Sequence, residues 1–307
     1  GEKRVRKSIS KFENREYGLV RWQSQIRRMQ HLHTLLPNNT PPILEMGVCE
    51  DSFYYDIPFY ESSQNLYEYL SEQGKIEASH IFEKVLALVS LYSQVDYGSV
   101  VGSFSVFFSE EVEGRLSQAM VQLDSAHSSG SISEKELCYI TSVVREMLPI
   151  LDEVISNTAA VSLNETLTHG NFTLENALYL HNSDSVVLID PYSETYSDSV
   201  LGDYSQLMQS SVSFYEGVVA GGEDSISKLF KSSISNRMSG VSYFGEYLQE
   251  HIATFDLKDQ ELIAFFHGAQ FIRMFPFKIQ NTPRLAIYFL LHGLQIIKET
   301  ASNAKYN

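Results

Sequence analysis

Between Leu167 and Pro191 the chain reads LTHGNFTLENALYLHNSDSVVLIDP, and this stretch restricts the fold more tightly than any other. His169 and Gly170 follow the polar, β-prone run ETLT, and Gly170 supplies the backbone freedom that a tight loop needs. Two short apolar runs, 177–180 (ALYL) and 186–189 (VVLI), flank His181-Asn182-Ser183-Asp184-Ser185, which is the pattern of a β-hairpin. Asn176 opens the first strand and Asp190 closes the second. An antiparallel pairing therefore carries both side chains to the same end, where two oxygen donors suit a hard divalent cation.

HGNFTLEN followed by LIDP resembles the HGDxxxxN catalytic loop and metal-binding Asp segment of the aminoglycoside phosphotransferase and choline kinase superfamily. Within it, the chain is most similar to the small-molecule kinase-like proteins found with bacterial capsule and surface-polysaccharide genes. The resemblance implies an α+β, protein-kinase-like fold of two lobes. A small β-rich lobe of strands and one helix would span 1–60, and a larger helical lobe, carrying the loop and hairpin at 167–191, would span 61–307. It also implies ATP or another nucleoside triphosphate with Mg2+ as cofactors, and a sugar or polyol hydroxyl as acceptor. Asn176 and Asp190 would hold the metal, and His169 and Asn171 would be the catalytic-loop residues, with His169 bracing the loop.

Asn171 departs from the family, which has Asp there to orient and deprotonate the acceptor. An amide accepts a hydrogen bond but takes up no proton at neutral pH, and loss of a general base costs about 10²–10⁴ in rate. Three explanations stay open: an engineered inactive form, a natural pseudokinase that binds nucleotide without turnover, and a natural enzyme that works by positioning alone. Gly1 before Glu2, with no initiator Met, is the start expected of a recombinant protein.

Composition bounds the rest. At 307 residues with 43% hydrophobic and 12% aromatic content, the chain can bury a sizeable core. A net charge of −15 argues against a general nucleic-acid surface, although a local cluster of cations can still hold phosphates. No apolar run is long enough to span a bilayer and the N-terminus is charged, so a cytoplasmic protein is expected. Cys49 and Cys138 are too few for a disulfide framework and are expected to be buried. Oligomeric state is not legible.

Along the chain, KRVRKSI at 3–9 reads as a strand, and the resemblance makes Lys7 the lysine that contacts the α and β phosphates. Family members place two strands and a phosphate-covering loop ahead of this lysine, so either the small lobe is abbreviated or the sequence is part of a longer protein. A helix is expected over 14–36 from the spacing of Trp22, Ile26, Met29, Leu32 and Leu36. Gln25, or else Glu16, falls near the family's lysine-pairing position on it. Strands follow at 43–48 and 52–57, and then YYDIPFYESSQNLYEYL. That segment resembles the interlobe hinge whose backbone, around Pro58 and Tyr60, binds the adenine edge; a plain hairpin and amphipathic helix would give the same pattern.

Residues 78–160 read mainly as helices at 81–92, 110–123 and 133–155. Asp203 matches the structural Asp that braces the catalytic loop in related folds, though helix capping would equally place an Asp there. Glu194 and Asp198 are loop carboxylates that could approach the acceptor. The late apolar helices over 257–299 enclose RMFPFK at 273–278, which makes Arg273 and Lys278 candidate ligands for an acidic or phosphorylated acceptor. His80 and His127 lack a second metal ligand at suitable spacing, and His267 and His292 read as core residues.

Overall fold

Period-two alternation decides which way the first strand faces. In the computed structural model, which describes residues 3–10, 15–192, 197–229 and 239–304, β1 (Arg4–Ser10) turns Arg4, Arg6 and Ser8 outward and Val5, Lys7 and Ile9 inward. β1 pairs antiparallel with β3 (Ser52–Pro58), and β3 with β2 (Glu45–Val48). The inner face is covered by α1 (Arg15–Leu35), whose Ile26 and Met29 are buried with Tyr55 and Ile57, and Trp22, Val5 and Ile43 close around them. This is the small β-rich part with one helix that the sequence leads one to expect.

A short β4 (Ser63–Asn65) pairs with β7 (Ala177–Leu180), which pairs in turn with β8 (Ser185–Leu188). Asn65 also caps α2 (Leu66–Ser71), accepting from the Glu68 N–H at 2.9 Å. The larger, helical part comprises α3 (Lys75–Tyr92), α4 (Ser103–Phe108), α5 (Gly114–Ser128), α6 (Glu134–Thr158), α7 (Val200–Ser211), α8 (Tyr215–Leu229), α9 (Gly240–Ile252), α10 (Leu257–Lys278) and α11 (Pro283–Ala304). Most of their apolar faces share one core, in which Phe104, Phe107 and Phe108 of α4 meet Phe265 and Phe266 of α10 at centroid distances of 4.7–6.3 Å, while Tyr215 and Val218 of α8 form a smaller cluster with Phe271, Leu285 and Phe289. α10 and α11 approach so closely that a Cβ on Gly293 would lie 2.5 Å from the Gly268 carbonyl oxygen.

Four local expectations are corrected. Residues 96–101 form a strand, β5 (Asp96–Val101), paired with β6 (Ser162–Thr166). Its Gly98 and mostly exposed side chains hid it among helical neighbours. The helix expected from 110 begins instead at Ser103 and passes through a π-turn at Ser109–Glu113 before α5. RMFPFK does not separate two helices but forms the last turns of α10, which carries Pro276 within it at the cost of one backbone hydrogen bond. Cys49 and Cys138 are both exposed rather than buried. No helix among the described residues is long and apolar enough to cross a membrane.

One buried cation ties the small part to the helical part. The Arg28 guanidinium, on α1 and 5% exposed, donates to the Asp198 carboxylate and, at 3.2 Å, to the Thr168 carbonyl, while Thr168 Oγ1 donates to Asp198 at 2.8 Å. Asp198 is thereby spent on structure and not on an acceptor. Removing one partner of such a pair strands the other charge. Arg28→Met is expected to destabilise the protein by about 3–5 kcal/mol in urea unfolding, with part of the loss recovered when Asp198→Leu is added.

Candidate active site

A buried carboxylate shapes the loop after β6. Asp203 on α7 accepts from the His169 N–H and the Gly170 N–H, both at 2.7 Å, and from the Tyr92 hydroxyl of α3 at 2.8 Å. It is not the helix cap, which is Ser199. Three residues on, Gln206 accepts from the Phe172 N–H and donates to the Gly170 carbonyl at 3.0 Å. One turn further, Ser210 accepts from the Leu174 N–H at 2.9 Å and donates to Glu216 at 2.6 Å. The spacing of 203, 206 and 210 places them on one helical face, so α7 reads the loop backbone rung by rung. Gln206 and Ser210 were not singled out in the sequence, because an isolated Gln or Ser in a helix carries no signal of a partner distant in the chain.

Gly170 sits at φ 73, where a Cβ would lie 1.8 Å from the Tyr192 carbonyl oxygen. His169 is fully buried against Phe172, with Nε2 2.9 Å from the Ile189 carbonyl. A carbonyl only accepts, so Nε2 carries the proton. Burial lowers the ring's pKa to about 3, leaving it neutral at working pH. His169 thus stitches the loop to the segment before Asp190 and is on the lining of neither cavity that meets the loop.

The hairpin ladder runs Ala177 opposite Leu188 and continues with the Ile189 N–H donating to the Asn176 carbonyl at 2.9 Å. Asn176 closes a short 3₁₀ turn at Leu174–Asn176 and does not open the strand itself. Its Nδ2 donates to the Asn171 carbonyl at 2.9 Å and to Thr173 Oγ1 at 3.0 Å, which turns Oδ1 the other way. Asp190 has φ 54, a left-handed conformation that few non-glycine residues adopt. Its Oδ2 meets Lys7 Nζ at 2.6 Å, whereas its buried Oδ1 has no hydrogen-bond partner among the described residues. Burial and then the neighbouring Asp190 carboxylate push the pKa of the Tyr55 hydroxyl upward, so it stays protonated opposite Lys7. The orphaned carboxylate oxygen of Asp190 and the amide oxygen of Asn176, on segments joined by the Ile189–Asn176 backbone hydrogen bond, are the donor types that fit magnesium, which takes one or two protein oxygens and leaves other positions to water and phosphate. No group of three or more His, Cys, Asp or Glu able to hold a metal occurs among the described residues.

Two cavities meet at this loop. The first, about 440 Å³, is lined by Lys7, Arg21, Gln25, Tyr55, Asn171 and Asp190 among others. The second, about 460 Å³, takes in Asn171, Thr173, Tyr192, Gln209, Gln270 and Arg273. Gln25 is therefore on the wall with Lys7, while the Glu16 side chain and Glu194 lie outside the described residues. Asn176 is half-buried and is not on the lining of the first cavity.

Pro58 and Tyr60 line neither cavity, and their segment is engaged elsewhere: the Phe59 N–H donates to the Lys3 carbonyl at 3.1 Å and the Tyr60 carbonyl accepts from Ser63 Oγ at 2.8 Å. Lys278, half-buried in the last turn of α10, is also off the lining, although its charge reaches Glu175, which is on it. Arg273 Nε lies 2.9 Å from Glu111, which Arg115 shares at 3.3 Å. His80 pairs with Asp184 of the hairpin turn, and His267 and His292 both hydrogen-bond Ser213. Arg21, which the sequence did not single out, is on both linings.

Asp203→Asn leaves one acceptor oxygen for three donors and is expected to cost about 1–3 kcal/mol in urea unfolding at pH 7. Burial raises the Asp203 carboxyl from 3.8 to about 6, so its stabilising contribution is complete below about pH 3.8 and is lost as pH rises through about 6. The wild type should therefore lose stability relative to Asp203→Asn between pH 4 and 7, and a pH-independent difference would refute that assignment. Gly170→Ala should be the more damaging change, seen as a lower melting temperature, because its Cβ has no room at all.

No family model matches the chain, and no curated protein matches it in sequence. Among solved structures, a protein from Thermobifida fusca provisionally assigned as a fructosamine-3-kinase is similar at TM-score 0.48 and 10% identity, over 91% of this chain and 80% of that one. One from Haemophilus somnus with the same provisional assignment is similar at TM-score 0.48 and 12% identity, over 95% of this chain and 83% of that one. At this degree of likeness the functional reading rests on the site itself.

Proposed function

We propose that this protein is an ATP- and magnesium-dependent phosphotransferase acting on a hydroxyl of a small sugar or polyol. The lobe boundary falls near residue 60, and the setting is surface-polysaccharide assembly, to which the sequence resemblance points. The observation that carries the reading is the meeting of Lys7 and Asp190, 183 positions apart, in a cavity that joins a second cleft at Asn171. A lysine, a partly unsatisfied carboxylate and an amide oxygen are the groups that a metal-bound triphosphate needs.

Bound magnesium would neutralise charge on the β and γ phosphates. Asp190 and Asn176 would hold it, which frees the Lys7 ammonium for phosphate oxygens. Asn171 donates through Nδ2 to the Asp190 carbonyl at 3.3 Å, so Oδ1 is the atom that receives the acceptor O–H and holds it in line. The second cleft has the size of a small-ligand site. Buried Gln209 and Gln270, with Thr173 and Tyr192, offer the paired donors and acceptors that vicinal hydroxyls require. Glu111 offsets much of the charge of Arg273 and Arg115, which favours a polyhydroxylated acceptor over a highly charged one.

A nucleotide-binding scaffold without turnover is favoured by the neutral Asn171 and by its tie to the Asp190 backbone. Both readings expect millimolar MgATP to raise the melting temperature. They part on Asn171→Asp, which should raise ATP-dependent phosphorylation of a sugar and polyol panel by about 10²-fold if the protein is an enzyme. ATP binding with no gain on any acceptor supports the scaffold, and no thermal shift with any nucleotide sinks both.

A further inference from the structure

The two cavities that meet at the loop share two residues, Asn171 and Arg21. Asn171 stands where the acceptor oxygen would be held, so whatever shares that junction faces the space the transferred group must cross. We propose that Arg21 is a catalytic residue that binds the γ-phosphoryl group of ATP and stabilises its charge during transfer. This rests on the reading of the Lys7 cavity as an ATP site and assigns within it a role that neither Lys7 nor Asp190 fills.

Helix geometry places the residue. Arg21, Gln25 and Arg28 recur at i, i+4 and i+7 and so share one face of α1. Arg28 fixes that face, because its guanidinium is bound to Asp198 and to the Thr168 carbonyl immediately before the loop. Two turns back, about 10 Å along the axis, Arg21 overhangs the loop itself. Its guanidinium lies 5.9 Å from the ring centroid of Tyr192, whose N–H donates to the His169 carbonyl at 2.8 Å. The base on which the arginine rests is thus part of the same braced loop.

Charge bookkeeping points the same way. Lys7 and Arg21 are the cations on the lining of the first cavity, and Lys7 sits at the Asp190 end. Residue 171 is neutral, and of the carboxylates on the two linings Asp190 is paired with Lys7 and Glu111 with Arg273 and Arg115, while Glu175 faces the second cavity. Transfer breaks the bond between the γ phosphorus and the β–γ bridging oxygen, whose electron pair leaves with ADP, and forms a bond from the acceptor oxygen to phosphorus. Because Asn171 takes no proton, the acceptor proton passes to an oxygen of the transferred group and then to solvent. In such a step catalysis is mainly positioning and charge stabilisation, and a single arginine can supply a large share of it.

The test compares affinities of the full chain for MgATP and MgADP by calorimetry, in the wild type and in Arg21→Gln, Arg21→Lys and Arg27→Gln. Arg27 is exposed on another face of α1 and controls for the lost charge. Arg21→Gln should weaken MgATP roughly 10- to 100-fold, as expected for a charge-assisted contact to phosphate, and change MgADP by less than about twofold. Arg21→Lys should fall between, and Arg27→Gln should change neither. Equal loss for both nucleotides, or no loss, overturns the assignment. Failure of the wild type to bind either nucleotide would be a different result, removing the ATP reading and this inference with it.

Discussion

Everything in the site depends on a carboxylate with no access to solvent. Asp203 collects two consecutive loop N–H groups and a tyrosine hydroxyl, and unpaired buried donors would each cost about 1–3 kcal/mol. Gln206 and Ser210 extend the same service to Phe172 and Leu174. The loop conformation is therefore set by α7 rather than by the loop's own side chains. Gly170 completes the arrangement by letting the chain turn against Tyr192 where any side chain would collide. A loop held in this way can carry a strained residue next to it, and Asp190 at φ 54 is such a residue.

From that fixed point the geometry spreads outward through two connections. His169 links the loop to the Ile189 carbonyl, one residue before Asp190. Arg28 links it to α1, which in turn packs on the sheet that presents Lys7. Lys7 and Asp190 are 183 positions apart in the chain, yet each is within one or two contacts of the braced loop. A protein of net charge −15 can hold a cationic site because its cations are placed individually on rigid elements and are not spread as a surface field.

The hairpin and its two oxygen-bearing ends were legible because they are local: apolar alternation, a turn and a glycine lie within 25 consecutive residues. The strand over 3–9 and the apolar face of α1 were legible for the same reason, whereas Lys7 was marked only by the resemblance. What could not be read depends on partners distant in sequence. The resemblance marked Asp203, but Gln206 and Ser210 carry no signal until the loop is laid against them, and Arg28 and Arg21 look like any other arginines until α1 is docked. The π-turn before α5 and the exposed β5–β6 ribbon reflect tertiary packing overriding local propensity. In the Pro58–Tyr60 segment the Phe59 N–H and the Tyr60 carbonyl have partners within the chain, which the motif alone could not show.

Asn171 can be weighed in the same physical terms. None of the four loop N–H groups braced by α7 uses its side chain, so the loop keeps its shape whichever residue stands there. The amide adds one thing a carboxylate could not, the donation from Nδ2 to the Asp190 carbonyl, which helps hold the left-handed turn that aims the Asp190 carboxylate. A carboxylate would lose that bond and set a negative charge against a carbonyl oxygen, while gaining a base and an attraction to Arg21. The neutral residue favours a site held ready to receive phosphate over one that removes a proton. In that balance the burden of catalysis shifts from the residue at 171 to the cations that face it.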